Sequence, residues 1–143
     1  MRSTWTHPGV IVESDTEGTL TVVHIHGRLS LEADREFAMR VLMTAAENGS
    51  TAVGVDMSAC NVLFGAQEAA GAVKPVLDAV KEMPRPIAIV VEAKDYERFN
   101  DFASRISESR AVRKIFVSPE DAKYWARQKG AVWRAMAKKR NAG

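Results

Sequence analysis

Residues Thr51 to Gly71 read TAVGVDMSACNVLFGAQEAAG: an apolar strand, then a loop of small and polar residues, then a helix. Thr51 to Val55 is short, β-branched and apolar, which is the composition of a strand buried on both faces, and Asp56 ends it with a side chain that favours turns over ladders. Such a strand belongs at the centre of a sheet. Beyond it, Ser58, Cys60, Asn61, Gly65 and Gln67 gather polar or small groups where an open α/β sheet places its crevice, outside the carboxyl ends of its parallel strands. Between them Val62, Leu63 and Phe64 are oddly apolar for an exposed loop. The candidate binding loop is therefore Asp56, Ser58, Cys60, Asn61, Val62, Leu63, Phe64, Gly65 and Gln67.

Upstream, Val10 to Glu13 is a short extended segment between Pro8-Gly9 and the polar turn Ser14 to Gly18, and it should pair as a hairpin with the β-branched stretch Leu20 to His26. Ser30 can cap a helix whose Leu31, Phe37, Ala38, Val41, Leu42 and Ala45 recur at helical spacing, and Asn48-Gly49 supplies its left-handed stop. Downstream, a helix from about 65 to 82 contains Pro75, which must kink or split it. Ile87 to Val91 is a second buried strand. Asp95 then caps a helix with a stripe of Tyr96, Phe99, Phe102, Ala103 and Ile106. Lys114 to Val117 is the last strand, and Ser118-Pro-Glu-Asp121 is a helix start, with a capping serine, a proline at the first helical position and two carboxylates against the positive end of the dipole. Gly130 offers a break in that helix, and Lys138 to Gly143 looks frayed.

The order β-β-α-β-α-β-α-β-α predicts a single α/β domain: a five-stranded mixed sheet, mostly parallel with an antiparallel edge strand, and about four helices. The domain spans residues 10–128, with an N-terminal arm at 1–9 and a basic helical extension at 129–143. The 46% hydrophobic and 27% charged fractions are those of an ordinary soluble globular protein. One cysteine and no Cys/His cluster of zinc spacing point to a reducing cytoplasm, and the first residues contain no apolar leader. Residues 1–109 carry 10 Lys/Arg against 16 Asp/Glu, a net −6, while residues 110–143 carry 10 against 2, a net +8. The basic tail, with Trp133 and Met136 among its bases, could make weak contact with anionic membrane, although a solvated helix explains it as well.

Three stretches carry a family resemblance: the hairpin ending in His26-Gly-Arg-Leu-Ser30; the strand and turn Val53-Gly-Val-Asp-Met-Ser58; and Asp101-Phe102 followed by Val112-Arg-Lys-Ile-Phe-Val-Ser-Pro-Glu-Asp-Ala122 and Trp125. Over residues 10 to 128 the chain resembles the STAS family, the fold of the anti-sigma-factor antagonist SpoIIAA, and more closely its SpoIIAA-like relatives. The resemblance implies a non-enzymatic regulatory module that binds a partner protein. Antagonists switched by phosphorylation carry a serine in an Asp-Ser-Ser-Gly-like turn about eight residues after the strand-ending aspartate. Here Phe64-Gly-Ala-Gln67 stands at that place with no hydroxyl, so a switch at the usual serine is not expected. The SpoIIAA-like relatives also resemble lipid-transfer domains, which implies as an alternative a carrier or sensor for a small apolar or acidic ligand in the crevice.

Other chemistry is weakly signalled. His24 and His26, two apart on a strand, share a face that can hold a metal, but no third ligand is evident unless His7 folds back, so no metal site is expected. Cys60 lacks an evident activating base and reads as a small buried hydrophobe. Asp56 reads as the cap of its own turn before it reads as a catalytic carboxylate. GxGxxG and Lys-Ser/Thr phosphate loops are absent from the sequence. No enzyme activity, cofactor or nucleic acid is expected, and a homodimer is the commonest oligomer.

Overall fold

A computed structural model describes residues 2–65, 68, 85–106 and 113–142. Its strands are β1 (Arg2–His7), β2 (Val10–Glu17), β3 (Leu20–Leu29), β4 (Ala52–Asp56), β5 (Cys60–Val62), β6 (Ile87–Val90) and β7 (Arg113–Phe116). Its α-helices are α1 (Leu31–Glu47), α2 (Tyr96–Ile106) and α3 (Pro119–Ala142). All seven strands form one sheet in the order β1-β2-β3-β4-β6-β7, with β5 paired to β3. β4 lies between β3 and β6 and parallel to both, with Val53 and Val55 buried, as its apolar composition predicts. Among the described residues no helix is long and apolar enough to cross a membrane.

The sheet is mixed and contains more strands than the sequence predicts. Arg2 to His7, expected to form an arm, is strand β1, antiparallel to β2 across the two-residue turn Pro8-Gly9. The signal was present: proline fixes the first central position and glycine takes φ +87° at the second. The expected polar turn at Ser14 to Gly18 is mostly strand, because β2 continues to Glu17 and pairs with Leu20. The antiparallel part is thus a three-stranded wing, β1-β2-β3, and not one edge strand. The helix expected over 65–82, including Pro75, lies outside the described residues apart from Gly65 and Glu68.

Two cores of different grain hold the layers. On one face, Val12, Val23, Ile25, Val53, Val55, Ile87 and Ile89 meet the α1 stripe Ala33, Phe37, Val41 and Ala45, together with Phe99 of α2. The four α1 residues recur every fourth position, which places them along one side of the helix. Ser30 caps α1, its Oγ accepting from the Ala33 N–H at 3.2 Å. On the other face the residues are smaller: Ala52 and Ala88 of the sheet meet Ala122 and Ala126 of α3, with Leu20, Val22 and Val90 around them. Small groups on both sides let α3 lie close to the strands. Gly130 continues the Ala122–Ala126 row one turn further on, and α3 runs through it unbroken, contrary to the expected break. A Cβ there would meet Thr51 Oγ1 at 2.6 Å, so the glycine serves close approach and not termination. Arg85 fastens the same corner, its Nε donating to Ser50 O at 2.6 Å while its guanidinium lies 4.5 Å from the Trp133 ring centre.

Each parallel step, β3 to β4, β4 to β6 and β6 to β7, moves the same way across the sheet. Among the described strands no reversal of order therefore opens a crevice between diverging connections. α3 contacts β4, β6 and β7 and the margin of β3, so among the described residues no helix packs over that face of the β1-β2-β3 wing, which α3 reaches through the Lys123–Glu17 contact.

Candidate functional site

Asp56 sits half-buried at the carboxyl end of β4, where the chain leaves the sheet for a three-residue excursion and then returns as β5. Its Oδ1 accepts from the Ser58 N–H at 3.0 Å and from Ser58 Oγ at 2.6 Å, an Asx turn in which the aspartate caps its own loop. The outgoing backbone is fixed as well, with Met57 N–H donating to Val90 O at 2.8 Å and Cys60 N–H to Met57 O at 3.1 Å. β5 then pairs with Gly27 to Leu29, so β4 and β5 share one long neighbour, β3, on either side of the turn.

The middle of the expected loop is the short strand β5, and this sorts its residues. From Cys60 onward they alternate: Cys60 and Phe64 pack partly against the larger core and Val62 joins it, while Asn61, Leu63 and Gly65 are exposed. Leu63 stays 49% exposed, with its N–H donating to Leu29 O at 3.0 Å. The apolar run that looked anomalous for a loop is thus two inward residues and one outward one. Gln67 lies outside the described residues. The structure therefore brings Asp56 and Ser58 together and presents Asn61, Leu63 and Gly65 outward along β5 and the residues after it, while turning Cys60, Val62 and Phe64 inward.

A contact invisible in the sequence lies on the other side of Asp56: its Oδ2 is 3.3 Å from His24 Nδ1. Parallel pairing places His24 directly beside Asp56, and antiparallel pairing places Glu13 directly beside His24, so the three form one row across the sheet. Burial raises the Asp56 pKa, but the two Ser58 hydrogen bonds and the His24 contact outweigh it and hold the carboxyl below the usual carboxylate range. Asp56 is therefore an acceptor at neutral pH, unsuited to donating a proton. Ser58 donates to the carboxylate and not to the imidazole, so the set lacks the serine–base contact that activates a nucleophile.

Cys60 is no better placed for chemistry. Burial and the Asp34 carboxylate push its thiol up to about 11, against a lowering contribution from the Leu29 backbone. We expect Cys60 to react with a disulfide reagent at pH 7.5 on the order of 100-fold more slowly than free cysteine, because the thiolate is the attacking species. A rate matching that of free cysteine would contradict the burial argument.

On the wing, a shallow groove of about 400 Å³ is lined by Glu13, Asp15 and Glu17 of β2, His24 and His26 of β3 and Lys123 of α3. Charged side chains dominate its lining, with Val22 among them, and it lies over β2 and β3 and not at the loop beyond Asp56 where the crevice was expected. Lys123 Nζ lies 3.2 Å from Glu17 Oε2, which joins α3 to the wing. His7 does not fold back toward it. It pairs with Val10, whose side chain is in the larger core, and its Nε2 lies 3.5 Å from Glu36 Oε2 of α1 on the opposite face. Among the described residues no three His, Cys, Asp or Glu side chains converge closely enough to hold a metal ion between them.

No family model and no curated protein matches this sequence. Two solved structures are similar in fold. One is an anti-sigma factor antagonist from Mycobacterium paratuberculosis, with a TM-score of 0.55 at 10% identity, covering 89% of this chain and 95% of that one. The other is an uncharacterised protein from Shewanella loihica described as having a SpoIIAA-like fold, with a TM-score of 0.52 at 22% identity, covering 82% of this chain and 93% of that one. The chain has a STAS/SpoIIAA-like fold, and at these identities the likeness extends to fold alone.

Proposed function

We propose that this protein is a non-enzymatic regulatory module of the cytoplasm that captures a partner protein on the rim formed by the Asp56–Ser58 turn and β5. The carrying observation is Leu63. Val62 before it is buried and Phe64 after it is packed against the core, yet Leu63 remains 49% exposed on a backbone pinned by its own N–H to Leu29 O. A rigidly presented apolar side chain among exposed polar neighbours costs little ordering entropy when it enters a partner's pocket, as an interface anchor does. The fold supports the reading: the Mycobacterium neighbour is described as an anti-sigma factor antagonist, a role exercised on another protein. Control by phosphate at the usual serine has no acceptor here, because Phe64 and Gly65 stand in its place. Ser58 is no substitute, since a phosphate on its Oγ would lie against the Asp56 carboxylate.

Phe64 is a poor test residue because it packs on the core; Leu63 is the better one. Leu63→Asp should weaken partner capture by at least about 30-fold, the loss of one apolar anchor, with the thermal midpoint unchanged. Affinity pull-down from the native host followed by titration of the recovered partner measures this. Equal retention by wild type and variant would remove the rim from the interface.

A further inference from the structure

Strand geometry turns residues i and i+2 to the same side, and β3 uses it to hold two imidazoles on the groove side of the wing. The His24 and His26 rings are nearly parallel, with centroids 6.5 Å apart and an interplanar angle of 21°. Asp56 occupies His24 Nδ1 at 3.3 Å and is itself locked by Ser58. A carboxylate accepting from Nδ1–H fixes the tautomer in which Nε2 carries the lone pair, the arrangement in which metal-bound histidines are normally held. Glu13, directly across from His24, and Asp15 further along β2 add negative potential beside the pair.

We propose that His24 and His26 chelate a divalent transition-metal ion of the zinc type, with Asp56 as the positioning residue and water in the remaining coordination places. Two imidazoles bound to one ion at about 2 Å have ring centroids about 5 Å apart, so the rings must approach by roughly 1.5 Å. Rotation of His26, which is exposed, supplies that movement and turns its ring edge out of the near-parallel arrangement toward the ion, while His24 stays on Asp56. Imidazole donors select zinc, copper or nickel, whereas the carboxylates of the groove alone would serve magnesium or calcium as well.

Calorimetric titration of the metal-free chain with zinc chloride tests the assignment. Binding should occur at one equivalent, fall at least 10-fold in His24→Ala and in His26→Ala, fall 10- to 100-fold in Asp56→Asn, and be unchanged in His7→Ala. Nitrogen-15 spectra of the metal-free protein should show the proton of His24 on Nδ1 and lose that preference in Asp56→Asn, a readout that mere loss of stability would not produce. Absence of zinc binding, zinc binding unaffected by either histidine variant, or displacement of zinc by equimolar magnesium would overturn the proposal.

Discussion

Gly130→Val is expected to destabilise the fold by about 3 kcal/mol, and Gly130→Ala by about 1 kcal/mol. At an ordinary helical site alanine is about 1 kcal/mol better than glycine. Here its Cβ would lie 2.6 Å from Thr51 Oγ1 and 3.2 Å from both Thr51 Cβ and Ala52 Cβ. Thr51 cannot easily withdraw. It is 5% exposed and its hydroxyl donates to Thr19 O at 3.3 Å. The helix must therefore lift off β4, reopening a seam in which Ala122, Ala126, Ala52 and Ala88 are packed. Urea unfolding of both variants measures the loss. Thr51→Ala, harmful alone because it deletes a hydrogen bond, should recover part of the stability of Gly130→Ala, giving a coupling of opposite sign. If Gly130→Ala stabilises the protein as at an exposed helical position, α3 is not seated as described.

Asp34→Asn is expected to flatten the pH dependence of stability, with an amplitude of about 3 kcal/mol between pH 4 and pH 8. Asp34 lies in the first turn of α1, where the helix dipole favours a carboxylate. Burial nevertheless raises its pKa to about 6, while the Arg113 guanidinium, itself pushed down to about 10 by burial, only partly opposes this. The folded protein thus holds the Asp34 proton more tightly than the unfolded chain does. The sign follows: this stabilising contribution is complete below about pH 4 and is lost as pH rises through about 6. Asp56, whose carboxyl is held low, acts in the opposite direction at acid pH. The informative quantity is therefore the difference between wild type and Asp34→Asn. The variant should be more stable at pH 7.5 and nearly equal at pH 4. Parallel stability curves would mean that Asp34 is solvated.

The sequence was most legible where a signal is local. Phe37, Val41 and Ala45, expected from helical spacing, lie on the buried side of α1, where Ala33 joins them in place of Leu31 and Ala38, and Ser118 is observed as the cap of α3, its Oγ accepting from the Asp121 N–H at 3.3 Å. Val53 and Val55 declare a central strand because a chain buried on both faces cannot alternate polar and apolar. Local signals misled where two readings share one composition. Gly130 is glycine whether a helix stops or a neighbour approaches, and Leu63 is leucine whether it fills a core or faces out. β5 escaped notice because it is only three residues long and the exposed Leu63 directly after it is apolar, which hides the alternation that identifies a strand.

Composition and spacing by themselves determined the α/β class, the central position of β4, the starts of α1 and α3, and the self-capping turn at Asp56. Each follows from steric or hydrogen-bonding preferences that act within a few residues. Only the tertiary structure decided that β1 joins the sheet, that α3 packs over β4, β6 and β7 and meets only the margin of β3, and that Glu13, His24 and Asp56 stand in one row. Those facts depend on strand register and on how closely a helix can approach, and both are fixed by groups that lie tens of residues apart in the chain.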